Sequence, residues 1–478
     1  MKGLILVLAL GAAVGVRAMT EAECDAFYRL DAAEKAKRFA TMGEGDKWSY
    51  VASAVRRLND LSLEPPTVIT NTLPKYGYDR NTYAMNNGLA VTRKGRVWVS
   101  WIGGEDGPMA YMLGAYSDDG GKTFGPPAFV IDPHFAGGRL YNLKVDRTAL
   151  IGNIWYAPDG SLRIYVNSVV QGWDGRGSTW EIVCRNPDAP QPVWEAPKYL
   201  WHGDQHNKPE VMRDGSWLLP INYNGHVYAF TELAKFFGCT LLASTDKGKT
   251  WTPRGTSRPT DYRKMFHYCE PSVVELRDGR LWMCIRTNDA LLHPRSPEDA
   301  NGLMEVFSSD GGRTWTAPVR STGIEQIMSR FALIRLRSGN LLFVKHGTTP
   351  TALPTLTDAE RREKNPWVVH YTRRRELTAF LSRDDGKTWE GGLRLEPQGG
   401  MASYPDGQQT KDGSIWISYD FERTHDGQIR LSRFTEQDVL AGKLVSAKSF
   451  LGRIAIRPAR SRREQAKEQK KEGVKLTY

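Results

Sequence analysis

One unit recurs six times along this chain: a turn built around a glycine, followed at once by an apolar strand. The first three copies read Lys94-Gly95-Arg96-Val97-Trp98-Val99, Asp159-Gly160-Ser161-Leu162 and Asp214-Gly215-Ser216-Trp217. The last three read Asp278-Gly279-Arg280-Leu281-Trp282, Ser338-Gly339-Asn340-Leu341-Leu342 and Asp412-Gly413-Ser414-Ile415-Trp416. Their glycines stand 65, 55, 64, 60 and 74 residues apart, which suits a four-stranded sheet with its loops. Six such sheets cannot each bury both faces alone, so they should pack radially into a closed ring, an all-β, six-bladed β-propeller. The sequence between the turns agrees, with short alternating apolar segments broken by Gly, Asp and Pro. Only a short N-terminal stretch, Glu21 to Phe39, reads as helical.

A second repeat rides on the first. Ser117-x-Asp119-x-Gly121-x-Thr123-Phe124 recurs as Ser244-x-Asp246-x-Gly248-x-Thr250-Trp251, Ser308-x-Asp310-x-Gly312-x-Thr314-Trp315 and Ser382-x-Asp384-x-Gly386-x-Thr388-Trp389. The unit between Gly160 and Gly215 keeps only an ending, Trp194-Glu195-Ala196-Pro197. Chemically this is a hairpin turn: Asp and Ser/Thr side chains bond local backbone, Gly supplies the special backbone angle, and the aromatic packs into the blade. Despite their carboxylates, these positions read as structural.

Composition bounds the remaining choices. With 478 residues, 40% hydrophobic, 25% charged, 46 Gly and 15 Trp, the chain is neither disordered nor collagen-like nor a coiled coil. The only long apolar run, Leu4 to Val16, follows Lys2 and leads into Val16-Arg17-Ala18, so 1–18 reads as a signal peptide and the mature protein as secreted or periplasmic. An uncleaved anchor is the alternative, and no membrane span is expected elsewhere. The expected division is then a helical segment over 19–70, the propeller over 71–456 and a basic tail over 457–478. That tail holds eight Lys/Arg against three Glu, so five of the eleven net positive charges sit in it, and without interleaved aromatics it argues against a nucleic-acid partner. Cysteines 24, 184, 239, 269 and 284 lack any CxxC or Cys/His spacing; no zinc site follows, and at most two disulfides are possible. Nothing requires a metal or organic cofactor, though calcium among the acidic loops stays open.

A propeller gathers strand ends from every blade around one axial opening, where distant side chains converge. The richest local stretch runs from Cys269 to Arg286. Read as a hairpin with a three-residue turn at Arg277 to Gly279, it places Glu270 directly opposite Arg286 at the end away from the turn. A two-residue turn would shift that register by one, and an ordinary cross-strand ion pair is the bland alternative.

The five-point repeat matches the Asp boxes of sialidases and their relatives, and over about residues 70 to 455 the chain resembles the sialidase superfamily, whose fold is a six-bladed propeller. The resemblance maps Glu270 onto that family's catalytic glutamate and Arg286 onto the second of its three substrate-binding arginines. Arg374, entering the fourth Asp box, is the best match for the third, with Arg373 and Arg375 as neighbours. Gly400-Met401-Ala402-Ser403-Tyr404-Pro405-Asp406 resembles the segment of the tyrosine nucleophile, a phenol activated by the glutamate. Asp106, after the strand Val97 to Trp101, falls roughly where the acid/base aspartate belongs; Asp-Gly is also an everyday turn.

One departure bears on the substrate. Sialidases begin the first blade with an arginine, but the matching stretch here reads Tyr83-Ala84-Met85-Asn86-Asn87-Gly88. Arg80 lies nearby and is the candidate substitute. The remaining polar candidates are Arg330, His134, the run His206-Asn207-Lys208 and His267, each also readable as structural. Propellers that look like sialidases but lack the first arginine include lyases and rhamnosidases acting on uronate polysaccharides, and the Asn-Asn-Gly start is similar to theirs. The expectation is therefore an exported sialidase-like glycosidase cleaving a terminal acidic sugar from an acidic glycan. A uronate lyase or rhamnosidase and a propeller that only binds glycans stand as the alternatives.

Overall fold

The computed structural model describes residues 19–28, 30–71, 73–78, 83–107, 109–133, 147–170, 177–223, 231–259, 268–287, 302–352, 357–362 and 373–458. The leader, the end of the basic tail, Arg80, His134 and His267 lie outside them.

Six antiparallel sheets form the six expected blades, each from one contiguous piece of chain. Blade 1 comprises Met85–Val91, Val97–Gly103, Tyr111–Ser117 and Phe129–Ile131. Blade 2 comprises Arg147–Tyr156, Leu162–Val170, Ser178–Cys184 and Lys198–His202. Blade 3 has an interrupted first strand, Asp204–Gln205 and Glu210–Val211, before Trp217–Tyr223, Gly238–Ser244 and Thr252–Ser257. Blade 4 comprises Tyr268–Glu275, Leu281–Thr287, Leu303–Ser308 and Val319–Arg320. Blade 5 comprises Ala332–Arg335, Leu341–His346, Leu377–Ser382 and Glu390–Arg394, and blade 6 Ala402–Gln409, Ile415–Phe421, Gln428–Phe434 and Phe450–Ile456.

Both repeats find their place in this order. The six glycine turns join the first two strands of the six blades, and all six glycines hold φ between +81° and +93°, where a side chain is strained. Asp boxes follow the third strand of blades 1, 3, 4 and 5. In the first, Ser117 donates to Asp119 at 2.6 Å and accepts from the Gly121 amide at 2.9 Å, while Thr123 donates to Asp119 at 2.6 Å. These donors, Ser117 foremost, hold the Asp119 carboxylate well below the usual range, so it stays an acceptor locked in its turn. Trp194, the remnant in blade 2, packs against Trp98 and Phe129 at centroid distances of 5.9 and 5.0 Å. Blade 6 replaces the box with a helix, Glu436–Ala441, capped reciprocally by Thr435 and Asp438.

The N-terminal helical stretch is longer than the sequence pattern indicates: Glu21–Tyr28, Ala32–Thr41 and Glu44–Ser62 are all helical. Their docking depends on tertiary partners, with Ser178 donating to the Ser62 carbonyl and Arg147 pairing with Glu64 at 3.2 Å. Val68–Ile69, inside the expected helical segment, instead adds a fifth, outer strand to blade 1 against Val130 and Ile131. All five cysteines are buried and none is in a disulfide. No helix among the described residues is long and apolar enough to cross a membrane.

No blade shares strands with another, and the ring closes through side chains and one backbone bond, the Ala84 amide donating to the Arg423 carbonyl at 3.3 Å. Gln408 of blade 6 caps both backbone groups of Val91 in blade 1, at 3.0 and 2.9 Å. Asp420 accepts from the Asn86 amide at 3.1 Å, and Trp416, Ile429, Leu431 and Ile456 join the core of blade 1. At the axis, Asp406 accepts from the Leu89 amide, Asn153 and Arg330, each at 3.0 Å, and pairs with Lys208. Gly88 is required beside it, because a Cβ there would fall 2.5 Å from the Asn153 oxygen and 2.7 Å from the Asp406 oxygen.

Asp406 thus neutralises the buried Arg330 and the half-buried Lys208 while tying blades 1, 2 and 3 and the entry to blade 5 onto blade 6. Asp406→Ala leaves Arg330 and Lys208 without a carboxylate and should lower stability by about 3–5 kcal/mol, read as a drop in the urea midpoint. Asp406→Asn, which keeps the acceptor oxygen, should fall between the two.

Candidate active site

Counting back nine residues from each turn glycine gives Asn86, Ile151, His206, Glu270, Arg330 and Tyr404 in blades 1 to 6. Each lies in or beside the innermost strand of its blade, near the end away from the turn. Ile151 packs into the core; the other five are polar and lie around the axis. Four sequence candidates, His206, Glu270, Arg330 and Tyr404, therefore occupy one repeat position.

Two of them are held in a backbone conformation that ordinary residues avoid. The ladder of blade 4 bulges between Cys269 and Ser272, and that of blade 6 between Ser403 and Asp406. Glu270 and Tyr404 occupy these bulges with φ of +52° and +53°. Each precedes a proline, Pro271 or Pro405, whose missing N–H is tolerated where the ladder is already interrupted. Positive φ at such residues costs about 1–3 kcal/mol and persists only where the surroundings impose it. Here Asn207 donates to the Glu270 and Pro271 carbonyls at 3.0 and 2.9 Å, and Asn86 donates to the Tyr404 carbonyl at 2.7 Å.

The bulge corrects the expected register. Near the turn the three-residue loop sets the expected pairing, Ser272 with Cys284 through Glu275 with Leu281, but beyond the bulge Cys269, not Glu270, faces Arg286. The ion pair survives because the bulge re-aims the side chain: Arg286 Nη1 lies 2.6 Å from Glu270 Oε1. The same nitrogen reaches the Tyr404 hydroxyl at 3.2 Å.

Two further guanidinium groups flank the Tyr404 ring, Arg374 at 5.2 Å and Arg423 at 4.2 Å from its centroid. Arg423 was not among the sequence candidates. It pairs with Asp420 at 2.9 Å and donates to Ser403 at 2.9 Å. Arg286 and Arg423 therefore each have a carboxylate partner, whereas Arg374 has no ion-pair partner among the described residues.

Titration follows from these neighbours. Burial alone would raise the pKa of Glu270, but Arg286, then His206, hold it down to about 2, so it is a carboxylate. Burial, then Glu270, raises the Tyr404 pKa, keeping the phenol protonated against the pull of the three arginines. Burial lowers His206 to about 4, with Glu270 3.9 Å from its Nδ1 opposing, so this imidazole is neutral at ordinary pH. Its Nε2 is buried and has no hydrogen-bond partner among the described residues.

Arg330, expected to bind substrate, is used as a strut: its three nitrogens bond Asn207 Oδ1, the Asn87 carbonyl and Asp406, all at 3.0 Å, and it is fully buried. Asp106 lies exposed in the turn after Val97–Gly103 and acts electrostatically on Tyr83 and Arg423, which places it at the same mouth. Among the described residues no group of three or more His, Cys, Asp and Glu could hold a metal ion.

Six radial sheets, four of them carrying Asp boxes, with this cluster at one axial mouth define a sialidase-like six-bladed propeller. Residues 144–417, more than half of the chain, match the model of the BNR repeat-like domain family, and the chain belongs to that family. In fold it is similar to the intramolecular trans-sialidase from Ruminococcus gnavus in complex with oseltamivir carboxylate: 12% identity, 78% of this chain and 98% of that one, TM-score 0.51. The NanB sialidase from Streptococcus pneumoniae aligns at 13% identity over 79% of this chain and 71% of its own, TM-score 0.51. The Hadza microbial sialidase Hz136 aligns at 17% identity over 72% of this chain but only 64% of its own length, TM-score 0.49. At these identities the likeness is one of fold. No curated protein matches the chain in sequence.

The neutral His206 gives a pH signature. Unfolded, it gains a proton as pH falls through about 6.5; folded, it resists until about 4. The unfolded chain binds more protons in that window, so this contribution to stability is complete above pH 6.5 and drains away toward pH 4. His206→Gln should show a shallower decline of Tm across that interval than the parent protein; equal slopes would contradict the assignment.

Proposed function

We propose that this chain is an exported glycoside hydrolase of the sialidase type that releases a terminal acidic sugar from a glycan. The observation that best supports it is the meeting of the Tyr404 hydroxyl, the Glu270 carboxylate and the Arg286 guanidinium beneath the unpaired charge of Arg374. A substrate carboxylate satisfies Arg374, with Arg286 and Arg423 alongside, and this fixes the sugar over the phenol. Tyr404 attacks the anomeric carbon as its proton passes to Glu270; a neutral phenol meets an anionic sugar without the repulsion a carboxylate nucleophile would bring. Arg286 keeps the resting Glu270 a weak base, and a substrate carboxylate that shares Arg286 relaxes that hold when the proton must move. Asp106 protonates the leaving oxygen and then activates water against the tyrosyl-linked intermediate.

One observation favours a second reading. A neutral, buried His206, whose Nδ1 lies 3.9 Å from Glu270 and whose Nε2 has no partner among the described residues, would form with the Tyr404 phenol a proton acceptor and donor pair of the kind that eliminates across a uronate linkage. Incubating the purified protein with sialosides and with uronate polysaccharides, while following free sialic acid and ultraviolet absorbance together, separates the two. Sialic acid release lost by about a thousandfold or more in Tyr404→Phe supports the hydrolase. Absorbance alone supports the lyase, and no product with retained glycan binding leaves a lectin-like propeller.

Arg423→Ala should lower kcat/KM on the acidic substrate by about tenfold to a hundredfold, mostly through KM, because a charged hydrogen-bonding group beside the substrate carboxylate is lost. An unchanged KM would place Arg423 outside the substrate's reach.

A further inference from the structure

The mouth opposite Tyr404 holds a cavity of about 810 Å³ that the proposed chemistry does not use. Its walls are the first strands of all six blades together with turn residues of blades 1, 2, 5 and 6, so every blade contributes. Its inner end is formed by Asn207, Lys208 and Asp406, the same group that locks the axis, which separates this space from the tyrosine side. The volume lies within the range of small-molecule sites, roughly 300–1,000 Å³.

Charge distinguishes this cavity from a mere gap. Three of its basic residues are compensated: Lys208 by Asp406, Arg433 by Asp412 at 2.8 Å, and Arg335 by Asp385 at 2.7 Å. Four others, Arg93, Lys94, Arg337 and Lys411, stand exposed on the turns of blades 1, 5 and 6 and form no ion pair among the described residues. The single remaining acid of the lining is Glu210, half-buried, whose carboxyl burial pushes up to about 7, so near neutral pH it opposes these cations only in part. A rim with four unneutralised cations over a recess with low-dielectric walls focuses a positive potential inward.

We propose that this second axial cavity is a binding site for a small, multiply charged anion carrying phosphate or carboxylate groups. Turns of like geometry hold its basic side chains: the glycines at 95, 339 and 413 all take φ between +81° and +93°, and the Gln409 side chain accepts from the Arg337 amide at 2.7 Å, linking blades 5 and 6. Guanidinium and ammonium groups from separate blades face a common space, so a ligand with two or more negative groups engages several at once, whereas a monoanion meets one exposed charge and gains little. The site is independent of the chemistry assigned to Tyr404.

The test is calorimetric titration of the full chain with inorganic tripolyphosphate, with citrate and with neutral maltotriose at low ionic strength. The expected result is saturable binding of at least one charged probe near one per chain, weakened at least tenfold in Lys94→Glu/Lys411→Glu and by 0.5 M salt, and unchanged in Arg374→Ala. Whichever of the two anions binds more tightly identifies the ligand group. Binding that is absent for both anions, equal for maltotriose, or lost in Arg374→Ala but kept in the double charge reversal would overturn the proposal. The reversed side chains are exposed, and matching Tm values establish that the variant is folded.

Discussion

A buried carboxylate with four protein donors decides how this ring stays closed. Asp406 receives the Leu89 amide, Asn153, Arg330 and Lys208, and in doing so brings four neighbouring chain segments to the blade that closes the circle. Such a group is costly to bury and costlier to leave half-satisfied, so the arrangement specifies one closure rather than adding much net stability. Its neighbours follow from it. Gly88 must lack a side chain, Asn207 must turn toward both Arg330 and the Glu270 carbonyl, and Arg330 must spend its guanidinium on protein.

That lock supports the strained backbone above it. Glu270 and Tyr404 sit at positive φ in bulges whose carbonyls are gripped by Asn207 and Asn86. The two bulges aim an acid and a phenol from blades 4 and 6 at one guanidinium, Arg286. Two of the three arginines are balanced by Glu270 and Asp420, while Arg374 stands over the Tyr404 ring with no ion-pair partner among the described residues. Neutral His206 and protonated Tyr404 follow from burial in that same crowded space.

Much of this was legible in residues alone. Six glycine turns announced six blades, four Asp boxes announced their outer hairpins, and the Cys269-to-Arg286 stretch announced its ion pair. Two things escaped. Arg423 follows its strand in an unremarkable Glu-Arg-Thr turn, and the pairing of that strand with the bulged Ala402–Gln409 brings it over Tyr404. Arg330 read as a substrate ligand because position alone cannot tell whether a guanidinium meets a carboxylate of the protein or of a ligand. A usable signal was nevertheless present: a polar residue nine places before the turn glycine in five of six blades, followed by proline at Glu270 and Tyr404.

Local chemistry, then, settled what each segment becomes. Period-two apolar patterning makes strands, glycine makes the left-handed turn, and Ser, Asp and Thr at fixed offsets satisfy their own backbone, all interactions within a dozen residues. Which side chains meet across the axis was left to the tertiary structure. Contacts such as Asn86 with Tyr404 or Leu89 with Asp406 span more than three hundred residues, and they exist only because six twisted sheets close on themselves. A one-residue bulge in each of blades 4 and 6 then chose where Glu270 and Tyr404 point.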